Sequence, residues 1–583
     1  MQLAEQGKIR LDEDIRAYLP GIEIVNPFDE PVTVAHLLTH TSGFEVRDPK
    51  SGDLHQDFER YVSIGEYAKA NMPPVVRMPG TAYMYDNFAY LLLGLIVQNA
   101  SGQPFETYME EQVFRPLGME ASSFEPKESL LGELATGYGP AGDPMEPYAL
   151  TPTIMPHGGM LSTARDVGRF MIAFLAGGTG ENGRILSEAS VAAMSEYRSA
   201  MHPLLPDTAY GFEAPAQTPL AGSSAAVLTK LGDLPGNSSM LLLIPDEKVG
   251  VFLTYNKNGA LRDLFYGQFM AAFFPQYVAP AELAAYRPAD SGSLERLVGL
   301  YADLRLAGIV YSVEADAEGG LAIRDAYLGL RKLRPADENL FADELTQRFV
   351  AFKIDEAGGA VYMNESALNP LGYARKGDAP AGFTDVGGDD PYAPYILALQ
   401  SLGHYPNEEG AAFEPGRPVT RAELAELLIK VSGLRGSENA EQYAFTDIAD
   451  HPLAPYIQAA RELGLVVGDG SGRFHPDRAA TRQEAAVMVW NVTRKQVPDA
   501  LFAFVQLAGE TDEWAVPAVK MMVALGLHGP EVTYGEDGAA DFRSKDPITR
   551  RESAALSYKL LLQPVNQIVA ELMAKLQNET EKP

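Results

Sequence analysis

The stretch that decides how the first half of the chain folds is residues 79–94, Pro-Gly-Thr-Ala-Tyr-Met-Tyr-Asp-Asn-Phe-Ala-Tyr-Leu-Leu-Leu-Gly. It carries a Tyr-x-Asn pair, Tyr85 and Asn87, directly ahead of an apolar run that predicts a helix. A tyrosine is most often a half-buried packing residue, so the pair becomes informative only together with the motifs around it.

Three further motifs accompany this stretch along the chain. They are His36-Leu-Leu-Thr-His40-Thr-Ser42-Gly43, then Pro156-His157-Gly-Gly-Met-Leu-Ser162-Thr-Ala-Arg-Asp166, and finally Lys230-Leu-Gly232-Asp233. The last motif leads into an apolar run at 239–244 that predicts a strand, and residues 249–255 are its predicted hairpin partner across a turn at 245–248. A helix is predicted near 263–274. Residues 1–276 therefore combine helices with a small antiparallel sheet.

Composition narrows the classes of function. The 583 residues predict roughly four domains, and a formal net charge of −31 makes nucleic-acid binding a poor candidate. The absence of cysteine excludes disulfides, thiolate metal sites and cysteine nucleophiles. The nine histidines form no His-x-x-x-His pair, so we predict no metal and no cofactor, and we interpret His40 and His157 as structural or pocket-lining residues. No apolar run is long enough for a transmembrane helix.

Together, in this order and spacing, the four motifs resemble those of the serine β-lactamase and penicillin-binding-protein-like hydrolases, in the branch that contains class C enzymes, esterases and D-aminopeptidases. The resemblance covers residues 1–276. It implies a β-lactamase-like α/β/α domain with an antiparallel sheet. It also implies acyl transfer on a β-lactam, a D-amino-acid peptide or an ester.

The resemblance also implies roles for individual residues. A serine in a Ser-x-x-Lys motif attacks the substrate carbonyl, and Tyr85 becomes the proton relay. Asn87 orients substrate, Lys230 supplies positive charge, Gly232 belongs to the substrate-binding motif, and the backbone N–H of Asp233 completes the oxyanion hole. Lysine rather than histidine at position 230 favours substrates that carry a carboxylate.

The chain contains no Ser-x-x-Lys, because no lysine has a serine three positions before it. In relatives that motif precedes a stretch like Leu3–Glu13, so we expect it just upstream of Met1, with the first strands of an incomplete sheet. The first residues do not have the pattern of a signal peptide. Ser42 and Ser162 lie in turn-like motifs that accompany the nucleophile in relatives and are not substitutes for it.

Residues 277–376 change to short alternating segments separated by turns such as 318–320 and 356–359. Residues 313–316 and 351–354 show the period of two that is typical of strands. We predict a small all-β module that packs or spaces the other domains. A linker follows at 377–382, where glycine, alanine and proline predominate.

The C-terminal region repeats itself with a period of about 61 residues. Phe413-x6-Thr420-Arg421-Ala-Glu recurs as Phe474-x6-Thr481-Arg482-Gln-Glu and as Phe542-x6-Thr549-Arg550-Arg-Glu. Phe383-Thr-Asp385 is matched by Phe445-Thr-Asp447, and residues 502–505 are the predicted degraded third copy. A threonine followed three positions later by glutamate predicts a capping box and the start of a helix.

The arginine of each motif calls for a separate explanation, because a capping box does not require it and the helix dipole disfavours it. We therefore predict that Arg421, Arg482 and Arg550 bind a carboxylate or an acidic sugar. The alternative is that they bridge neighbouring repeats.

These repeats resemble S-layer homology domains, over residues 383–563. The resemblance implies an α-helical triple repeat that binds pyruvylated secondary cell-wall polysaccharide, with Arg421, Arg482 and Arg550 as contacts. The predicted units are 1–276, 277–376, 377–382, repeats at 383–434, 445–497 and 502–563, and a tail at 564–583 that contains a packing helix.

The sequence thus predicts a multidomain α+β protein of the cell surface. One hypothesis is a serine hydrolase with a small-molecule or peptide acyl substrate, anchored outside the cell to wall polysaccharide. The other is a non-catalytic pseudoenzyme or binding protein that keeps the fold and the anchor.

Overall fold

The structure, a computed structural model, describes residues 1–49, 51–215, 226–279, 292–437, 443–495 and 497–580. Contacts divide the chain into two compact units. The first comprises Met1–Ala285 with Thr346–Ala351 and Asn364–Tyr373, and the second comprises Tyr286–Leu345, Phe352–Met363 and Ala374–Pro583. Two short segments of the region 277–376 therefore belong with the first unit.

The predicted apolar helix of the first unit extends from Asn87 to Ser101. Asp86 caps its start, because the carboxylate accepts the N–H of Ala89 at 3.1 Å. The helix ends at Gly102, whose φ of 73° is readily adopted only by glycine. The helices of this unit are α1 (Gln2–Glu5), α2 (Val34–Leu38), α3 (Ile64–Asn71), α4 (Asn87–Ser101), α5 (Phe105–Met109), α6 (Arg115–Leu117), α7 (Glu128–Leu131), α8 (Ala164–Leu175), α9 (Glu188–Ser195) and α10 (Leu261–Phe273).

The longest strands of this unit form a three-stranded antiparallel sheet in the order β7-β8-β9. The predicted hairpin at 239–255 and the predicted helix near 263–274 are confirmed as β8, β9 and α10. The register pairs Lys230 with Leu241 and Gly232 with Ser239. The strands are β1 (Leu54–His55), β2 (Ala149–Leu150), β3 (Thr179–Gly180), β4 (Gly183–Arg184), β5 (Ser199–His202), β6 (Leu205–Thr208), β7 (Leu228–Leu234), β8 (Asn237–Ile244) and β9 (Val249–Tyr255).

The predicted all-β module is confirmed as a closed barrel of eight antiparallel strands. Burial alternates along residues 321–325 and 329–337 of the barrel. It does not alternate at 313–316 or 351–354, where the sequence shows the period of two. The short helix α11 (Gly292–Glu295) precedes β10 (Gly299–Asp303), β11 (Val310–Ala315), β12 (Leu321–Asp325), β13 (Gly329–Asp337), β14 (Leu340–Asp343), β15 (Phe349–Ile354), β16 (Ala360–Glu365) and β17 (Ala374–Lys376).

The three capping-box helices of the C-terminal region are confirmed. In each copy the glutamate accepts the N–H of the capping threonine at 2.9 Å. The elements are α12 (Ala393–Ser401), α13 (Arg421–Val431), α14 (Ala454–Glu462), α15 (Arg482–Thr493), β18 (Leu507–Ala508), α16 (Val516–Ala524), β19 (Thr533–Tyr534), β20 (Ala540–Asp541), α17 (Arg550–Leu562) and α18 (Val565–Thr580).

The three repeats close into a ring around an approximate threefold axis. The N–H of Val419 donates to the carbonyl of Ile548, Ile548 donates to Ala480, and Ala480 donates back to Val419, at 2.9–3.0 Å. These residues lie just before the three capping threonines, so each repeat contacts both others through its backbone. Side chains from all three repeats share one hydrophobic core.

The structure corrects the predicted alignment of the third repeat. Thr384 and Thr446 donate to backbone carbonyls two residues before Phe413 and Phe474. In the third repeat the N–H of Ala540 donates to the carbonyl of Gln506, and Leu507 pairs with Ala540 in parallel register, so it is the N–H of Ala508 that faces the carbonyl of Ala540, two residues before Phe542. The counterpart of Phe-Thr-Asp is therefore Leu507-Ala508-Gly509, and not residues 502–505, where Phe502 ends a 3-10 helix. Loss of all three side-chain types concealed this relationship in the sequence.

The predicted packing helix of the tail is confirmed as α18, whose Val565, Ile568, Val569 and Leu572 pack against the shared core of the repeats. Among the described residues, no helix combines the length and the apolar character that crossing a membrane requires.

Candidate active site

The start of α4 fixes the backbone around Tyr85. Asp86 is buried, and its carboxylate accepts the hydroxyl of Ser42 at 3.1 Å as well as the N–H of Ala89. Ser42 is thus a structural partner of the helix cap. Asn87 is half-buried and donates its amide to Asp48 at 3.2 Å.

His40 lies against the same segment. Its Nδ1 accepts the N–H of Asp86 at 3.0 Å, and its carbonyl accepts the N–H of Met84 at 2.9 Å. An Nδ1 that accepts a hydrogen bond is unprotonated, so the network assigns the ring proton to Nε2. The ring stacks on Tyr90 at a centroid distance of 4.7 Å and lies 4.5 Å from the ring of Tyr85. The interpretation of His40 as a pocket-lining residue fits this geometry.

Lys230, on β7, lies against the same side chains, and the site formed by His40, Tyr85, Tyr90 and Lys230 is called the pocket below. Its Nζ lies 4.9 Å from the ring centroid of Tyr85 and 4.7 Å from that of Tyr90, within the range of a cation–π interaction. The structure therefore brings together Tyr85 and Lys230, which are 145 residues apart in the sequence. The cation faces two phenol rings that supply negative electrostatic potential.

Glu213 is a site residue that the sequence analysis missed. Its Oε1 lies 2.6 Å from Nζ of Lys230 and 3.4 Å from Nε2 of His40. Burial acts to raise the pKa of Glu213, but Lys230 and His40 lower it below its ordinary value. Burial acts to lower the pKa of Lys230, but Glu213 and the two phenols raise it above its ordinary value. Both groups are therefore charged at neutral pH.

A signal for Glu213 was present in the sequence, because it is the only charged residue between Asp207 and Lys230. Charge alone does not show which cation a carboxylate will meet. The pairing is created when residue 213 exchanges backbone hydrogen bonds with Thr229, the neighbour of Lys230, at 2.8 and 2.9 Å.

The end of β7 carries the other predicted site residues. Alternate N–H groups of a strand point to the same side, so the N–H of Asp233 points to the same edge as that of Thr229, away from β8. The side chain of Asp233 pairs with Arg262 at 2.5 Å, and Arg262 donates to the carbonyl of Gly232 at 3.1 Å. A Cβ at Gly232 would lie 2.8 Å from Oγ of Ser239, so a larger residue would require that hydroxyl to move.

The short segment Leu371–Tyr373, between β16 and β17, pairs with the backbone on either side of Met84, next to Tyr85. The N–H of Tyr85 donates to the carbonyl of Leu371 at 2.7 Å, and the N–H of Tyr373 donates to the carbonyl of Tyr83 at 3.0 Å. Gly372 and Met84 pair between them as an antiparallel bridge. The buried carboxylate of Asp207 stabilises this arrangement. It accepts a hydrogen bond from the amide of Asn364, in β16, at 3.1 Å and another from the hydroxyl of Tyr373.

His157 and Ser162 lie apart from these hydrogen bonds. Burial lowers the pKa of His157 to about 4, so its ring is neutral at neutral pH. The hydroxyl of Ser162 contacts that of Ser122 at 2.8 Å. Across the described ranges, no group of three or more histidine, aspartate or glutamate side chains could hold a metal ion.

The predicted glycan-binding arginines lie between repeats. Arg421 donates to the carbonyl of Phe474 at 2.9 Å and to Glu484 at 3.2 Å, both in the second repeat. Arg482 donates two hydrogen bonds to Glu552 of the third repeat, at 2.5 and 3.1 Å.

Arg550 of the third repeat returns to the first, where its guanidinium carbon lies 4.7 Å from the ring centroid of Phe413. The exposed fractions of the side chains of Arg421, Arg482 and Arg550 are 11%, 4% and 23%. These contacts support the bridging alternative most strongly for Arg482.

Comparison with known families matches both halves of the chain. A family model described as beta-lactamase matches residues 1–268, and one described as S-layer homology domain matches residues 382–425 and 444–486. The chain carries a β-lactamase domain followed by S-layer homology domains. These matches confirm the β-lactamase resemblance and the S-layer homology resemblance of the first two repeats, and the assignment of residues 502–563 to that family stays a prediction.

Curated relatives match the β-lactamase domain. Penicillin-binding protein 4 of Amycolatopsis lactamdurans is 32% identical over 34% of this chain and 52% of its own length. The D-alanyl-D-alanine-carboxypeptidase/endopeptidase AmpH of Escherichia coli K12 is 24% identical over 45% of this chain and 68% of its own length. A crystal structure of SurE with D-Leu aligns at 23% identity and a TM-score of 0.44, over 64% of this chain and 83% of that one. The chain spans about half the length of the first of these relatives.

Proposed function

We propose that this chain is a cell-surface protein whose β-lactamase domain handles acyl substrates, namely β-lactams, D-amino-acid peptides or esters. The observation that carries the proposal is the approach of Lys230 to Tyr85, with Nζ 4.9 Å from the ring centroid. A cation near a phenol favours the phenolate, which a proton relay requires, and Glu213, 2.6 Å from Nζ, offsets part of that charge.

Within this proposal Tyr85 transfers the proton and Lys230 supplies the positive charge. The N–H of Asp233, on the edge of β7 that faces away from β8, donates to the developing oxyanion, and Gly232 leaves room for the hydroxyl of Ser239. Asn87 orients the substrate, for which its amide must exchange Asp48 for a ligand group.

The second candidate is a non-catalytic protein that binds acyl ligands. The 583 residues contain no Ser-x-x-Lys, and this candidate is the one that requires none. It is favoured by the engagement of the Ser42 hydroxyl with Asp86 and of the Ser162 hydroxyl with Ser122.

We expect this polypeptide to bind a fluorescent penicillin without acylation, because neither serine is free to attack. Fluorescence polarisation would report the binding, and denaturing electrophoresis would show no labelled band. Lys230→Met should weaken the binding. A label that survives denaturation and maps to a serine in residues 1–276 would establish the enzyme instead.

We further propose that the S-layer homology repeats hold the protein on secondary cell-wall polysaccharide outside the cell. Arg421, Arg482 and Arg550 are the proposed contacts, and Arg550 is the most exposed of them. A guanidinium can bind a carboxylate through two parallel hydrogen bonds, and three sites on one array give multivalent attachment. Binding to purified cell-wall sacculi tests this anchor.

A further inference from the structure

The pocket beside Tyr85 already contains a carboxylate. Glu213 lies 2.6 Å from Nζ of Lys230, and only 13% of its side chain is exposed. The ammonium group is directed at an acid of the protein itself. This site therefore differs from one in which the lysine has no acidic partner in the protein and can pair with the carboxylate of a substrate.

Glu213 is held in place from two directions. Its N–H donates to the carbonyl of Thr229 at 2.9 Å, and its carbonyl accepts both the N–H and the hydroxyl of Thr229 at 2.8 and 3.0 Å. Its carboxylate also faces Nε2 of His40 at 3.4 Å. Since Nδ1 of His40 is occupied by the N–H of Asp86, the Nε2 proton points to Glu213.

We propose that Glu213 makes this pocket select uncharged acyl ligands, such as esters and amides without a neighbouring carboxylate, over ligands that carry one. The inference rests on the proposed function of the β-lactamase domain. It reverses the preference that lysine at position 230 suggests in the sequence.

The reason is electrostatic. The charges of Lys230 and Glu213 cancel, so the pair exerts little attraction on an anion at a distance. A ligand carboxylate that reaches Lys230 must also approach the Glu213 carboxylate, and like charges in a partly desolvated pocket repel strongly. A neutral ester suffers no such repulsion and can still use the N–H of Asp233 and the phenol of Tyr85.

A matched pair of ligands tests the proposal in the full chain, namely benzylpenicillin and its methyl ester, with binding measured by calorimetry. We expect the ester to bind more tightly than the acid. In Glu213→Gln, which keeps the shape but removes the charge, the affinity for the acid should rise about tenfold or more while the affinity for the ester stays within about twofold. Glu181→Gln, at an exposed position, is the control for the change in net charge.

Equal affinity for acid and ester in the unaltered chain would overturn the inference, as would an unchanged ratio in Glu213→Gln. If Glu213→Gln fails to fold, Glu213→Asp keeps the charge and must still favour the ester, and loss of that preference would count against the inference. If the ester and the acid both fail to bind the unaltered chain, the proposed function is wrong, and this inference is wrong with it.

Discussion

Arg421, Arg482 and Arg550 occupy the same position in three repeats, yet their surroundings differ. Arg482 is nearly fully buried and directs two hydrogen bonds to Glu552, at 2.5 and 3.1 Å. Arg550 has 23% of its side chain exposed, and its nearest acidic partner, Glu414, is 3.7 Å away. The same residue type can therefore stabilise the array at one position and remain accessible to an anionic ligand at another.

Single Arg→Lys changes should separate these roles. Arg482→Lys loses the two-pronged contact with Glu552 and should lower the free energy of unfolding by about 1.5–3 kcal/mol. Arg550→Lys should change it by less than about 0.5 kcal/mol but should weaken binding to purified sacculi. Thermal melts and sacculus pull-down of both variants provide the measurement. Unchanged pull-down for Arg550→Lys would remove that residue from the proposed glycan contacts.

At the scale of elements, two loops of the array depend on carboxylates that accept backbone hydrogen bonds. Asp385 accepts the N–H groups of Phe413 and Glu414 at 2.7 Å, and Asp447 accepts those of Phe474 and His475 at 2.8 Å. Burial acts to raise the pKa of each carboxylate, but the backbone donors lower it below the ordinary value of 3.8.

The sign of the pH effect follows from that direction. A carboxylate with a lowered pKa stabilises the fold fully above its unfolded pKa of about 4 and ceases to do so as pH falls through the folded value. We expect the array to lose stability on acidification below about pH 4, and Asp385→Asn with Asp447→Asn should flatten that loss. Gly509, which has no side chain to titrate, takes this place in the third repeat. Ala508→Gly beside it therefore serves as a control in denaturation curves at several pH values. A pH dependence unchanged by the double variant would contradict this assignment.

At the scale of the whole molecule, the anchor behaves as one closed ring rather than as three independent units. Val419, Ala480 and Ile548 join the repeats through consecutive backbone hydrogen bonds. The shared core contains Phe474 and Phe502, from the second and third repeats, both almost fully buried. Removal of one repeat would expose apolar surface of the other two and leave backbone groups unpaired.

We therefore expect a chain that ends at residue 495, before the third repeat, to lose the cooperative unfolding of the first two. Calorimetry of this chain and of the full chain makes the comparison, and the β-lactamase domain provides an internal reference transition. A sharp transition for the first two repeats at an unchanged temperature would show that the ring is dispensable.

The sequence by itself determined the elements whose signal is local. The apolar run after Asn87 predicted α4, and the two apolar runs at 239–244 and 249–255 predicted β8 and β9. The spacing of threonine and glutamate predicted the starts of α13, α15 and α17. Each of these signals lies within a few residues, because helix caps and strand periodicity are properties of neighbouring side chains.

Only the tertiary structure decided which distant residues meet. It formed the ion pairs of Glu213 with Lys230 and of Arg482 with Glu552, and the backbone hydrogen bond between Tyr85 and Leu371. These partners are separated by 17 to 286 residues in the sequence. No local pattern specifies such contacts, because they form only when packed helices and paired strands bring remote segments of the chain together.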